Sequence, residues 1–217
     1  MTQIPILFED GEALVIDKPA GLPIDTPRKG GKALSDELQH LRLGFQREPS
    51  PVHRLDTDTS GCLLLARNQK AHVRFAGAFE QRLVEKVYHG ILARTLEEEE
   101  GTIALSLSKI SSAGKGWRMI AARKGKPAVT HWRKLKELDG GLTLIEFRPE
   151  TGRTHQIRVH AELGLGAALL GDPVYGHKDS RTARTMLHAS QLTVPRDNKP
   201  AIVAQAPLPA DFVRLGA

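Results

Sequence analysis

A second cysteine is missing from this chain of 217 residues, so Cys62 can form no intramolecular disulfide and no multi-cysteine zinc site. Set within GCLLLA, its thiol is expected to pack as a small buried hydrophobe. Long apolar runs are also missing: nothing approaches the roughly 18 residues that cross a bilayer. The opening MTQIPILFEDGE lacks a basic stretch followed by an apolar one. A cytoplasmic protein with no membrane partner is expected. Nucleotide-binding glycine motifs of the GxxxxGK[ST] and GxGxxG types are absent, and no cofactor is expected. His155 and His160 are five positions apart, about 140° around a helix, which is poor geometry for one ion. No metal is expected.

Acidic residues are absent from Gly101 to Lys136, a window that holds nine basic ones: Lys109, Lys115, Arg118, Arg123, Lys124, Lys126, Arg133, Lys134 and Lys136. The whole chain carries +6, so a window at +9 leaves −3 for the rest. Aromatic residues are scarce at 5%, yet the only two tryptophans, Trp117 and Trp132, both fall in this window. Basic side chains interleaved with aromatics suit phosphate contact and base stacking, so nucleic acid is the expected partner.

At 40% hydrophobic and 26% charged, the composition is that of a globular protein. The length allows one large domain or two small ones. No repeat or linker divides it, so one domain over 1–217 is the simpler expectation.

The pattern predicts two short strands joined at Asp10-Gly11, a Gly/Pro-rich loop through KPAGLPIDTPRKGG, and a helix over 33–43. GCLLLARN reads as a buried strand. A helix follows over 69–83, with Val73, Ala76, Phe79 and Leu83 expected inward. VEKVYHGILAR, GTIALSLS, AVTHWRKLKEL and GLTLIEF read as strands, Thr151–Leu163 as a helix capped by Thr151, GDPVYG as a turn and AIVAQAP as a last strand. Strands outnumber helices without strict alternation. The fold class expected is α+β, a mixed, mostly antiparallel sheet flanked by helices.

Chemistry concentrates in HRLDTDTSGCLLLA, residues 53–66. Its D-x-D-x-T string suits an aspartyl phosphatase, whose first Asp ends a buried strand and attacks phosphorus. Here SPVHRL precedes Asp56 and the apolar strand follows, while GDPVYG lacks the later acidic residue such an enzyme needs. Arg153 falls at the start of the expected helix, where the dipole disfavours a cation, so an anion should compensate it. Asp56, an RNA phosphate or another acid would serve.

Together these segments resemble the RluA-type family of RNA pseudouridine synthases. DKPAGLPIDT, HRLDTDTSGCLLLA, EKVYHG, TGRTHQIRVH, GDPVYG and LHA follow the family's order along most of the chain. The resemblance implies an isomerase that converts uridine in ribosomal or transfer RNA to pseudouridine, with no cofactor, no metal and no DNA partner, acting as a monomer. It implies Asp56 as catalytic nucleophile or base, Tyr88 against the target uracil and Arg153 paired with Asp56. Arg54 would fill the space left by the flipped base, with His53 beside it and Leu187 closing the pocket. Many relatives carry an added N-terminal RNA-binding domain. This chain is expected to begin at the catalytic one, so the basic window is its candidate for extra RNA grip. Gly90 stands where the family more often has alanine. Whether the carboxylate attacks C6 of the base, attacks the anomeric carbon or assists proton loss at C2′ stays open. So does a non-catalytic RNA-binding relative.

Overall fold

The computed structural model describes residues 4–112 and 116–217. Lys115 of the basic window lies outside them. In chain order the elements are β1 (Ile6–Glu9), β2 (Ala13–Lys18), α1 (Leu34–Glu37), β3 (Ser50–Pro51), β4 (Ser60–Ala66), α2 (Gln69–Glu80), β5 (Glu85–Leu92), β6 (Glu100–Ser112), β7 (Gly116–Ala121), β8 (Lys126–Leu138), β9 (Leu142–Pro149), α3 (Gln156–Leu165), β10 (Leu187–Val194), β11 (Ile202–Gln205) and α4 (Ala210–Arg214). The fold is α+β, as expected, with mostly antiparallel strand pairs and few helices. The described residues gather into two compact units: those of Met1–Lys86 with His188–Pro207, and those of Val87–Leu187 with Leu208–Ala217.

In the first unit β2 pairs antiparallel with β4, and β4 pairs parallel with β10 through Ser60–His188 and Gly61–Ala189. β1 and β11 extend the edges antiparallel. Asp10 makes the first hairpin by accepting the amides of Glu12 and Ala13, both at 2.8 Å, the turn-forming habit of a short carboxylate side chain. Every residue of β4 is buried. Alternate side chains Cys62, Leu64 and Ala66 meet Ala13, Val15, Leu192, Val194 and helix α2 in one apolar cluster. Cys62 is thus the buried hydrophobe expected, and burial pushes its thiol up to about 12.

Helix α2 is where expected, with Asn68 as its N-cap; its inner side is Ala71, Phe75 and, as expected, Phe79, whereas Val73 faces out. Val73 lies about 200° around the helix from Ala71 and is 62% exposed. Leu83 is also exposed. The expected helix over 33–43 is one short turn of α-helix continued by a 3₁₀ turn over Leu38–Leu41.

In the second unit the strand order is β5-β9-β8-β6-β7, all antiparallel. Tyr88, Phe147, Trp132 and Gly101 are successive cross-strand partners and so share one face. Ile157 and Ala161 of α3 join Phe147 and Trp132 in an apolar cluster. Strands β3, β7 and β10 and the helix α4 have no counterpart among the expected elements.

Candidate active site

Asp56 stands in the turn that leads into β4 and is half-buried. The turn closes on itself where the Thr59 amide donates to the Asp56 carbonyl at 3.1 Å. From outside it is held by Lys18, at the end of β2. That ammonium is fully buried and donates to the carbonyls of Pro19 (2.9 Å), Leu22 (2.8 Å) and Thr57 (3.1 Å). The Gly21 amide also donates to Thr57 at 2.9 Å. Four hydrogen bonds therefore tie the loop of residues 19–22 to itself and to the residue after Asp56. A buried cation needs such compensation.

Ser60 and Gly61 fix the other side of the turn. Ser60 Oγ and His188 Nδ1 are 2.9 Å apart, and the His188 ring is fully buried. Gly61 has φ +106°, and a Cβ on it would lie 2.2 Å from the Ala189 carbonyl oxygen. Glycine is required here by both backbone conformation and close approach.

His53 accepts the Leu64 amide on Nε2 at 3.0 Å and stacks on Phe79 with ring centroids 4.6 Å apart. Burial, helped by the Lys86 charge, pushes its imidazole down to about 3, so the ring is neutral. Those contacts brace the turn from within the unit. Arg54, next in the chain, is exposed.

In the second unit Tyr88 is half-buried on β5 and packs against the cluster that contains Leu187, so the structure brings these two expected residues together. Gly90 lies on the same face. A Cβ there would meet Leu169 Cδ2 at 2.8 Å and Phe147 Cε2 at 3.1 Å, which accounts for glycine at this position.

Arg153 lies in a loop, not in a helix. Helix α3 begins at Gln156, and its N-cap is His155 in a left-handed conformation, so Thr151 is not the cap and Arg153 lies ahead of the first turn. The reason is Gln156, a side chain the sequence reading passed over. Its buried Oε1 accepts the Thr151 hydroxyl (2.7 Å) and the Arg153 amide (3.0 Å), while its Nε2 donates to Val129 O and Thr130 Oγ1, both at 2.9 Å. Every hydrogen-bonding position of this amide is used, which fastens residues 151–156 to β8. Arg153 Nε then donates to Pro127 O at 3.1 Å.

Behind this loop Arg158 and Asp172 form a buried two-pronged ion pair, Nε–Oδ2 2.6 Å and Nη2–Oδ1 2.7 Å. Asp172 also accepts the amides of Val174 and Tyr175. Arg158 holds its carboxyl below the usual range although burial opposes this. GDPVYG is therefore a turn, as expected, and its aspartate is the counter-ion of RVH.

An RNA pseudouridylate synthase family model matches residues 12–163, which span β2, the Asp56 turn, Tyr88 and the Arg153 loop. The chain belongs to the RluA-type RNA pseudouridine synthases. These are isomerases that act on RNA. The synthase is 55% identical over 97% of its length to an uncharacterised RNA pseudouridine synthase of Zymomonas mobilis, covering 96% of that protein. It is 38% identical over 98% of its length to ribosomal large subunit pseudouridine synthase D of Nitrosomonas europaea, of which it spans 64%. Among solved structures, human RNA pseudouridylate synthase domain containing 1 superposes with a TM-score of 0.81 at 30% identity, covering 95% of this chain and 84% of that one.

Two expectations for the synthase are corrected by the structure. Trp132 is no stacking platform: it is 8% exposed, in the core against Phe147. The basic window is also less free than its letters suggest. Arg133 pairs with Glu146 at 3.4 Å, Lys134 with Glu99 at 2.6 Å, and Lys136 donates to Gly216 O at 2.8 Å. A depression of 330 Å³ lined by Glu100, His131, Trp132, Arg133, Glu146 and Arg148 contains none of the expected site residues. No helix among the described residues is long and apolar enough to cross a membrane.

Proposed function

We propose that the protein converts specific uridines of large-subunit ribosomal RNA to pseudouridine, with Asp56 as the catalytic carboxylate. The bond from ribose C1′ to N1 of the uracil breaks, a bond from C1′ to C5 forms, the C5 proton leaves and N1 gains one. Atoms and electrons balance within one nucleotide, so no outside oxidant or group donor enters. The observation that carries the assignment is the anchoring of the Asp56 turn by Lys18, Gly21 and the Ser60–His188 contact. A carboxylate that must meet a flipped base gains from a mount that does not move.

Asp56 acts ionised by attack at C6, by attack at the anomeric carbon or by assisting proton loss at C2′. An ordinary aspartate, pKa about 3.9, is already about a thousandfold ionised at pH 7. The task of Arg153 is then to aim the carboxylate and compensate its charge once RNA excludes water. Tyr88 stacks on the displaced uracil, Leu187 closes the pocket and Arg54 fills the vacancy in the RNA. His53 stands beside Arg54 as a brace for the turn. These contacts offset the few kcal/mol that base flipping costs. Ribosomal RNA is favoured over transfer RNA by the name of the Nitrosomonas relative. The reading takes the enzyme to be a single domain that works as a cytoplasmic monomer.

The test is a map of pseudouridines in RNA from cells lacking the gene, before and after incubation with purified protein. New pseudouridine in ribosomal RNA with wild type and none with Asp56→Ala is expected, with RNA affinity retained within a few fold. Absence of new pseudouridine, or full activity in that variant, would sink the assignment.

A further inference from the structure

The structure sorts the basic window into two halves. Near the middle of the sheet its cations are neutralised: Arg133 by Glu146, and Lys134 by Glu99 and Glu137. Towards the edge strand β7 and the turn of residues 122–125 they are not. Arg118, Arg123, Lys124 and Lys126 are exposed and have no acidic partner among the described residues. Lys109 is exposed too, and its ammonium rests 4.5 Å above the ring centroid of Trp117.

Trp117 itself is 44% exposed, while the chain's other tryptophan is in the core. Leaving this much indole in water forgoes burial that would stabilise the fold. Its ring is nevertheless held in place. His155 lies against it with centroids 4.8 Å apart and planes tilted by 32°. His155 keeps a left-handed backbone, φ 51°, a conformation that strains a residue other than glycine. Tyr175 holds the imidazole there: its Oη accepts the Met119 amide at 2.9 Å and lies 3.0 Å from His155 Nδ1. A half-exposed indole backed by a strained, buttressed imidazole and ringed by unneutralised cations is a surface for an anionic chain that carries aromatic rings.

We infer that the paired strands β6 and β7, with the turn of residues 122–125, dock an unpaired stretch of the substrate RNA, with one base stacked on Trp117 and neighbouring phosphates held by Lys109, Arg118, Arg123, Lys124 and Lys126. The inference rests on RNA being the substrate. In the free protein the Lys109 ammonium covers a ring face that the base takes on binding, and its flexible stem lets it move to a phosphate. The surface also borders the loop of Arg153, because His155 follows Arg153 by two residues and Arg153 Nε bonds to Pro127 O, next to Lys126. The nucleotide so bound is therefore a neighbour of the one that Arg153 serves.

Trp117 reports on its own surface, since Trp132 is buried. A single-stranded oligouridylate of about ten nucleotides should quench indole emission in wild type and equally in Asp56→Asn. Trp117→Ala should weaken oligouridylate binding about 5- to 100-fold, the range expected for one stacked base, and Trp117→Phe should restore most of it. Lys124→Glu with Lys126→Glu should reduce the slope of log affinity against log salt by about 1.4, two phosphate contacts on a single strand. Binding without any change in emission would overturn the inference, as would quenching by heparin equal to that by oligouridylate, or unchanged affinity in Trp117→Ala. If Trp117 binds RNA but no pseudouridine forms, the catalytic assignment falls and the docking surface stands. If pseudouridine forms with an unaltered KM in Trp117→Ala, the docking surface alone falls.

Discussion

Ser60 Oγ and His188 Nδ1 lie 2.9 Å apart although 128 positions separate them in the chain. The contact joins the T-S-G segment after Asp56 to the L-H-A segment near the C-terminus. With Gly61 against Ala189 it makes the only parallel strand pair among the described residues of the first unit.

Gly61→Ala tests how tightly that junction is closed. A Cβ 2.2 Å from the Ala189 oxygen forces the strands apart, and φ +106° is strained for alanine in any case. A loss of about 3–5 kcal/mol is expected in urea unfolding, or no folded protein at all. A loss below about 1 kcal/mol would mean that β4 and β10 separate at little cost.

Lys18→Met tests the mount of the catalytic turn. The substitution keeps the apolar stem and removes the donor that serves Pro19, Leu22 and Thr57. Leaving those carbonyls to find other partners should cost about 2–4 kcal/mol of stability. Pseudouridine formation should fall mainly in kcat, because the turn that carries Asp56 loosens while RNA contacts persist. Steady-state kinetics would show a different balance if Lys18 served RNA binding instead.

Asp172→Ala should destabilise by about 3–5 kcal/mol, since it removes the two-pronged carboxylate partner of the buried Arg158 guanidinium and frees the amides of Val174 and Tyr175. Replacing both partners, Arg158→Met with Asp172→Leu, should recover part of that loss. A double-mutant cycle by urea unfolding measures the difference.

Acid should weaken the fold through two histidines. Burial pushes His53 down to about 3 and His160 down to about 4, against an ordinary 6.5. Both fold in the neutral form, so the stability they confer is complete above pH 6.5 and is lost as pH falls towards those values. Between pH 7.5 and pH 5 the loss is expected to be on the order of 1–2 kcal/mol per histidine. Among the described residues neither ring nitrogen of His160 has a hydrogen-bond partner. His160→Leu should therefore flatten the pH dependence at little cost at pH 7.5; an unchanged pH profile would exclude His160 as a source of it.

What was legible in the sequence was local. The apolar run GCLLLA, the Asp10-Gly11 hairpin and the GDPVYG turn each carry their own signal, and the motif order exposed the candidate site. Val73 faces out because a helix's inner stripe is chosen by what it packs on, here the cluster that holds Phe75 with Leu64 and Val194. Composition places Trp132 beside cations and so suggests stacking. Its alternation with Ala128 and Thr130 on β8, buried residues both, was the signal that it points inward. Strand β7, GWRMIA, has no clear period of its own and is a strand because β6 pairs with it. The start of α3 is set by the Gln156 amide reaching back to Thr151 and across to β8, a choice that depends on a partner more than 20 residues away.

The first unit is discontinuous in the chain, and this bears on how it is made. Its central strand β4 is buried along all seven residues, yet the strand that covers one of its edges, β10, is not synthesised until more than 120 residues later. During that interval β3 already covers the Leu65–Ala66 part of that edge, so the Ser60–Gly61 end is what stays open to pairing with other chains. Pairing at such sequence separation is slow to form. The Ser60–Gly61 end, next to the Asp56 turn, is therefore the part of β4 completed latest, and variants that weaken β10 or β11 should reduce the yield of soluble protein more than their effect on equilibrium stability would suggest.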